Sequence, residues 1–188
     1  MRVKNNHILL LNGPSSAGKS TLAKEIQKCA VDPYIHFQWD SFLAMISSES
    51  VHAKQGSRQD IVPFMRNCMH AAVRNLYEQG LNVVWDNAMH PSRWISVVEE
   101  FVDSRIFLVG VTCGIEELER RELVRGDRTV GMARIQAEEM HVGIDYDFRI
   151  DTTKTTATEN AEILMQGILR IDSPRAIKKM NEKLCANF

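Results

Sequence analysis

The sequence lacks an excess of charge of either sign, because 23 lysines and arginines are balanced by 24 aspartates and glutamates, for a net charge of −1. Proteins that bind nucleic acid over an extended surface usually carry a basic excess, so we expect no nucleic-acid partner. No apolar run is long enough to span a membrane, and the short apolar segment near the start has no cleavage site for secretion. These absences favour a cytoplasmic protein without a membrane partner.

Cysteine is also scarce, and its four residues lie far apart with no CxxC pair. This spacing indicates neither a zinc site nor a disulfide framework, so we expect separate, buried thiols in a reducing compartment. The six histidines show neither HExxH nor any other metal-ligand spacing. We therefore interpret them as structural or surface residues.

Short apolar runs alternate with amphipathic segments along most of the chain, which predicts an α/β fold. The predicted strands are 7–12, 34–37, 81–85, 105–112 and 148–150, and the predicted helices are 18–30, 60–79, 91–102, 115–124, 132–140 and 157–171. Strands joined through helices need crossover connections, so they form a parallel sheet with helices on both faces. Residues 47–56 are predicted as a loop, and Asp60 is predicted to cap the helix after it. We expect one domain over 1–172, with a helical lid at about 115–140, and a basic, helical terminal segment at 173–188.

Residues 13–20 read GPSSAGKS and match the pattern GxxxxGK[ST] at every fixed position, after a strand and at the start of a helix. In this motif successive backbone N–H groups point into one concavity, and the helix N-terminus adds partial positive charge. Lys19 is placed to reach the β- and γ-phosphates of ATP, and Ser20 to ligate Mg²⁺. The residues predicted to bind the nucleotide here are Gly13, Pro14, Ser15, Ser16, Ala17, Gly18, Lys19, Ser20 and Thr21.

The phosphate loop alone does not define the reaction. GTPases carry a guanine-reading NKxD motif and a DxxG switch, and this sequence contains neither. Motor and helicase ATPases need a longer chain. The size and the motif together favour a small kinase.

Two aspartates follow predicted strands on the acceptor side. Asp40 comes just after the second strand, and Asp86 ends the third. Ligands of open parallel sheets bind outside the carboxyl ends of the strands, so both carboxylates should lie near the phosphate loop. We predict Asp40 as the base that takes the proton of an acceptor hydroxyl, and Asp86 as the carboxylate beside magnesium. Two structural alternatives stay open: Asp40 as a helix N-cap, and Asp86 as a turn residue.

The residues beside these aspartates are candidates for an acceptor pocket. Trp39 and Trp85 could form an aromatic wall, but strand alternation turns each one away from its neighbouring aspartate and favours core packing. The loop after the third strand supplies three further candidates, Asn87, Met89 and His90.

An arginine-rich segment lies between the fourth and fifth predicted strands. On a continuous helix Arg121, Arg125 and Arg128 share one face, where like charges repel unless an anion lies among them. A polyphosphate is such an anion, and the planar guanidinium suits it. The alternative is a solvated face with local ion pairs, such as Glu117 with Arg121.

The chain resembles chloramphenicol phosphotransferase and its relatives among P-loop kinases of the shikimate- and adenylate-kinase type. The likeness covers residues 8–164. It is densest in LNGPSSAGKS (11–20), in Asp40-Ser41, and in a third set that is specific to this family. That set comprises Arg121-Glu122, 125–128, 131–133, Gln136-Ala137, His141, Gly143, Tyr146-Asp147 and 151–153.

The resemblance implies ATP-dependent phosphorylation of a small-molecule hydroxyl, with Asp40 as the base and Arg121, Arg125 and Arg128 on the lid. It also implies a three-layer fold with a five-stranded parallel sheet in the order 2-3-1-4-5. In such a fold the loop of Asp151, Thr152 and Thr153 lies near the adenine.

Three features depart from the family pattern: the segment 42–59, Asn87 in place of a second acidic residue, and the extra terminal segment. They leave the acceptor open. An antibiotic such as chloramphenicol is one candidate, and a metabolite or nucleoside is the alternative. An RNA-end-processing or simple nucleotide-binding role is a further alternative, and the sequence leaves the oligomeric state open, including a homo-oligomer.

Overall fold

A computed structural model of the chain describes residues 5–46, 58–125 and 131–186. Within these residues five parallel strands form one sheet in the order β2-β3-β1-β4-β5, which confirms the expected topology. The strands are β1 (Ile8–Asn12), β2 (Tyr34–Gln38), β3 (Asn82–Asn87), β4 (Ile106–Thr112) and β5 (Phe148–Asp151).

Helices connect the strands and cover both faces of the sheet. They are α1 (Lys19–Cys29), α2 (Trp39–Leu43), α3 (Arg58–Glu78), α4 (Trp94–Phe101), α5 (Ile115–Arg125), α6 (Met132–Glu139), α7 (Ala157–Leu169) and α8 (Ala176–Cys185), with a 3₁₀ turn at Pro91–Arg93. The predicted helices are confirmed, with bounds that differ by a few residues. None of the helices in the described ranges combines the length and the apolar character that crossing a membrane requires.

The apolar run of β1 explains its central place in the sheet. Ile8 and Leu10 are buried in a core with α3, α4 and α8 on one face, while Leu9 and Leu11 are buried in a core with α1 and α7 on the other. Burying one such side chain stabilises the fold by about 1.5–3 kcal/mol. A strand that is apolar on both faces is therefore most stable in the middle of a covered sheet.

The terminal segment is part of the core rather than an appendage. Ala176 and Ile177 of α8 are buried against the sheet. The Asp147 carboxylate holds the start of this helix, because its Oδ1 accepts the backbone N–H groups of Arg175 (2.7 Å) and Ala176 (3.0 Å). Its Oδ2 accepts the N–H of Leu108 in β4 (2.9 Å), so one side chain joins the helix to the sheet.

Two smaller expectations are wrong. Helix α3 covers Arg58–Glu78, so Asp60 lies within the helix and not at the N-cap position. Three of the four cysteines, Cys29, Cys68 and Cys185, are exposed, because they lie on the outer faces of their helices, and all four are free thiols. The predicted loop at 47–56 lies outside the described residues.

Candidate active site

The phosphate loop connects β1 to α1, and its two fixed glycines are required by geometry. A Cβ at Gly13 would lie 2.1 Å from the carbonyl oxygen of Val111, so the loop can pass β4 only without a side chain there. Gly18 has a φ of 87°, in the left-handed region that glycine adopts at little cost, and it is the N-cap residue of α1. The loop therefore turns into the helix with its backbone close to the sheet.

The Lys19 ammonium lies over this loop. Its Nζ donates hydrogen bonds to the carbonyl oxygens of Gly13 and Pro14, both at 2.8 Å, and the residue is only 8% exposed. Burying an ammonium is costly unless its donors are satisfied, and these two carbonyls supply partners. The positive charge is thus held at the mouth of the loop.

Ser20 and Asp86 meet beside Lys19. The Ser20 hydroxyl donates to Oδ2 of Asp86 at 2.6 Å, and Gln38 Nε2 donates to the same Ser20 oxygen at 3.2 Å. His36 Nε2 lies 3.5 Å from Asp86 Oδ2. Burial acts to raise the pKa of Asp86, but the contacts with His36 and Ser20 and the charge of Lys19 outweigh burial and hold the pKa below its ordinary value. The carboxylate is therefore kept ionised.

The turn alternative for Asp86 is wrong, because the residue belongs to strand β3. Parallel pairing places Asp86 opposite Leu11 of β1 and opposite Gln38 of β2. Leu11 faces the layer that contains α1, so Asp86 projects toward the same layer, where Ser20 lies. Trp85, one residue earlier, projects to the other side and is fully buried against His70 and Phe101, as predicted for core packing.

Asp40 lies in the first turn of the short helix α2. The N-cap residue of this helix is Gln38, whose side chain makes no cap hydrogen bond, so the N-cap alternative for Asp40 is wrong. Asp40 is exposed and lines the same cleft as Ser20 and Asp86. Trp39 also lines this cleft while packing against the core, so the predicted core packing and a position in the cleft occur together.

Arg121 of α5 is fixed against the phosphate loop. Its Nη2 donates to the Thr152 carbonyl at 2.8 Å, its Nη1 to the Thr152 hydroxyl at 3.2 Å, and its Nε to Glu117 at 2.7 Å. A Cβ at Gly18 would lie 3.6 Å from Nη1. The local ion pair that the sequence offered as an alternative therefore occurs, and the same side chain lies beside the phosphate loop.

The remaining lid arginines differ in what the structure shows. Arg125 lines the cleft, whereas Arg128 lies outside the described residues. Hydrogen bonds from Arg120 and Arg121 lower the pKa of Glu117 to about 2, so this carboxylate stays ionised beside them. Arg121 thus has an acidic partner, which the charge pattern alone left undecided.

The two lid helices are joined by a buried carboxylate. Glu122 of α5 is 1% exposed and accepts the backbone N–H groups of Gly131 (2.7 Å) and Ala133 (2.9 Å) at the start of α6. On α6, Oε1 of Gln136 accepts the N–H of Ser15 at 2.7 Å. Neither contact was predicted from the sequence, where Glu122 lies in a run of charges and both residues occur only as family positions without a role.

His36 and Gln38 were also missed. Strand alternation places them on the same face of β2 as each other, and the register with β3 brings them to Asp86. That alternation was the available signal, but it becomes informative only once the neighbouring strand is known.

Together these residues enclose a cleft of about 610 Å³, a size typical of small-molecule sites. The predicted residues that line it are Ser15, Ser16, Gly18, Lys19, Ser20, Thr21, Trp39, Asp40, Asp86, Asn87, Arg121, Arg125 and Thr152. Gly13, Pro14 and Ala17 complete the loop behind this surface, and the Ala17 carbonyl accepts the Thr152 hydroxyl at 2.9 Å.

Four further predicted residues, outside the phosphate loop, do not line the cleft. Met89 is buried in the core, and its backbone N–H donates to Asn12 Oδ1 at 2.8 Å. His90 is exposed, and its ring accepts the N–H of Ser92 at the start of the 3₁₀ turn. Asp151 and Thr153 bond to each other, and of the predicted adenine loop only Thr152 reaches the cleft.

Residues 6–168 match the family model described as chloramphenicol phosphotransferase-like protein. The chain belongs to this family. A relative named "Putative O-phosphotransferase", from two strains of Mycobacterium tuberculosis, is 31% identical over 198 residues, which cover 94% of this chain and 88% of the relative. Family membership identifies this protein as a phosphotransferase of the kinase type, with the nucleotide-binding motif of a P-loop protein.

Solved structures show the same fold. The APS kinase CysC of Mycobacterium tuberculosis, in complex with AMPPNP and APS, matches with a TM-score of 0.64 at 15% identity, over 88% of this chain and 98% of that one. The tunicamycin resistance protein of Deinococcus radiodurans matches with a TM-score of 0.65 at 16% identity, over 87% of this chain and 96% of that one. The architecture is therefore that of a P-loop kinase.

Proposed function

We propose that this protein transfers the γ-phosphate of ATP to a hydroxyl group of a small molecule in the cytoplasm. The observation that carries the proposal is one cleft lined by the phosphate loop, by Asp86 hydrogen-bonded to Ser20, and by Asp40. A phosphate cradle, a carboxylate suited to a metal and an exposed carboxylate suited to a base are the parts that phosphoryl transfer needs.

The nucleotide side follows from the loop. Its backbone N–H groups and Lys19 would bind the phosphates, and Arg121 and Arg125 would balance their charge. Ser20 and Asp86 fit Mg²⁺, because a hydroxyl and an ionised carboxylate lie 2.6 Å apart and hard oxygen atoms are the ligands that this ion prefers. When bound, Mg²⁺ would neutralise charge on the phosphate oxygens.

The acceptor side follows from Asp40. In the proposed step the acceptor hydroxyl oxygen forms a bond to the γ-phosphorus while the bond from that phosphorus to the bridging oxygen of ADP breaks. The hydroxyl proton passes to the Asp40 carboxylate, and ADP leaves. Trp39 and Asn87 line the same cleft and would contact the acceptor.

Residues 115–140 would act as the lid. Helices α5 and α6 are joined through Glu122 and approach the loop through Arg121 and Gln136. Closure of such a segment excludes water from the transferring phosphoryl group, which suppresses hydrolysis of ATP. Arg128 would belong to this lid.

The test is an acceptor screen with MgATP. Purified protein is incubated with hydroxyl-bearing antibiotics, including chloramphenicol, with metabolites and nucleosides, and with an RNA that has a free 5′-hydroxyl. Release of ADP and the mass of the product are measured, with Lys19→Ala as the control for contaminating kinases. A phosphorylated small molecule formed by wild type alone is expected. Phosphorylation of RNA alone, or equal turnover by the variant, would refute the proposal.

A further inference from the structure

The two polar atoms of the Gln136 side-chain amide differ in their hydrogen bonding. The backbone N–H of Ser15 can only donate, so the Gln136 atom 2.7 Å away must be the amide oxygen. This fixes the orientation of the side chain. Its nitrogen, which carries two N–H donors, has no hydrogen-bond partner among the described residues, and Gln136 lines the cleft.

The position of this amide is set by the phosphate loop. Ser15 lies in the loop whose backbone N–H groups form the phosphate cradle. Two cationic side chains that approach the loop have donors already bound to protein: Lys19 bonds to two loop carbonyls, and Arg121 bonds to Thr152 and Glu117. The Gln136 nitrogen is thus a donor at the cradle that is not used by the fold.

Helix α6 is held firmly enough to place this donor. Its start is fixed by Glu122, which accepts the N–H groups of Gly131 and Ala133. Just after its end, the Met140 carbonyl accepts Nδ2 of Asn12 at 3.3 Å, at the last residue of β1. Asn12 also donates to the Tyr146 hydroxyl at 2.8 Å. Both ends of α6 are therefore tied to elements that carry the site.

We propose that Gln136 is a catalytic residue of this site, whose amide oxygen is anchored by Ser15 and whose amide nitrogen donates to the γ-phosphoryl group. A fixed neutral donor stabilises charge on the transferred group without the cost of reorganising water. The inference rests on the proposed function, since it assigns a residue to the γ-phosphate of ATP.

A competing explanation predicts the opposite effect of a Gln136 substitution on nucleotide affinity. If Gln136 only occupies the Ser15 N–H when the loop is empty, it competes with phosphate, and its removal strengthens nucleotide binding. Gln136→Ala removes both the anchor and the donor. Gln136→Glu keeps an acceptor for the Ser15 N–H but replaces the donor with a negative oxygen, so it separates the phosphate contact from the attachment of the lid.

The experiment compares the affinities for a non-hydrolysable ATP analogue and for ADP by calorimetry in the presence of Mg²⁺. A hydrogen bond to a charged group corresponds to a loss of about 10- to 100-fold in affinity. We expect Gln136→Ala and Gln136→Glu to lose about that factor for the ATP analogue, and less than about threefold for ADP, which lacks the γ-phosphate. Gln166→Glu makes the same charge change on an exposed position of α7 outside the cleft and should alter neither affinity.

Three results would overturn the inference: unchanged or stronger binding of the ATP analogue by Gln136→Ala, equal losses for both nucleotides, or an effect of Gln166→Glu of similar size. Thermal denaturation of each variant shows that the fold is kept, and Gln136→Glu retains the lid contact if the alanine variant is unstable. Wild type that binds neither nucleotide would overturn the proposed function together with this inference. Wild type that binds and transfers normally, with unaffected Gln136 variants, would overturn this inference alone.

Discussion

Replacing Asp40 with asparagine removes a negative charge and a proton acceptor while keeping the size of the side chain. A base in the transfer step typically accelerates the reaction by about 10²- to 10⁴-fold, which corresponds to about 3–5 kcal/mol of activation free energy. We therefore expect Asp40→Asn to lower the rate of phosphoryl transfer by that factor. The affinity for MgATP should stay within about threefold of wild type, because the phosphate loop is unchanged.

The contribution that Asp40 makes to stability through its helix can be estimated from its position. It is exposed in the first turn of the five-residue helix α2, and it is not the N-cap residue. A carboxylate in a first turn interacts favourably with the helix dipole by at most about 1 kcal/mol. For a chain of this length that corresponds to a fall of about 2–4 °C in melting temperature. A large loss of rate with a small loss of stability is therefore the expected signature.

The assay follows acceptor-dependent release of ADP, with the acceptor that the screen identifies, alongside thermal denaturation and calorimetry with MgATP. Asp103→Asn is the matched control, since Asp103 is also exposed but does not line the cleft. Transfer by Asp40→Asn at near the wild-type rate would show that Asp40 is not the base. The proton acceptor would then have to be sought at Asp86.

Three further perturbations have expected outcomes. Lys19→Ala should weaken MgATP binding by at least about tenfold, because it removes a buried ammonium at the loop, and unchanged calorimetric affinity would contradict this. Asp86→Asn should raise the Mg²⁺ concentration needed for half-maximal transfer by about 10- to 100-fold, which is the loss of metal affinity typical when a residue that orients a metal ligand is replaced. An unchanged magnesium titration would argue against a role of Asp86 in holding Mg²⁺. Burial lowers the pKa of His7 from 6.5 to about 4, so the unfolded chain takes up this proton first and stability falls as the pH drops from 6.5 toward 4. Between pH 7 and pH 5 wild type should lose about 2 kcal/mol of unfolding free energy more than His7→Gln, measured with urea, whereas equal losses would refute the assignment.

The sequence by itself determined the features that depend on neighbouring residues. The phosphate loop is contiguous, and its glycines, Lys19 and Ser20 act through local backbone geometry, so the motif was sufficient to predict it. The apolar run of β1 and the helical periodicity of α3 likewise reflect burial of one segment. The order of the strands came from the family resemblance, and the structure confirms it.

The tertiary structure decided which distant side chains meet. Ser20 and Asp86 are 66 positions apart, and Ser15 and Gln136 are 121 positions apart, yet each pair forms a hydrogen bond. Such contacts depend on strand register and helix docking, whose energies are spread over many side chains. Because docking could not be predicted from the sequence, Met89, which follows Asp86 by three residues, was expected in the pocket. In the structure its backbone N–H bonds to Asn12 and its side chain packs in the core. A hydrogen bond between distant residues needs only one donor and one acceptor, types found throughout the chain, so only the fold selects the pair.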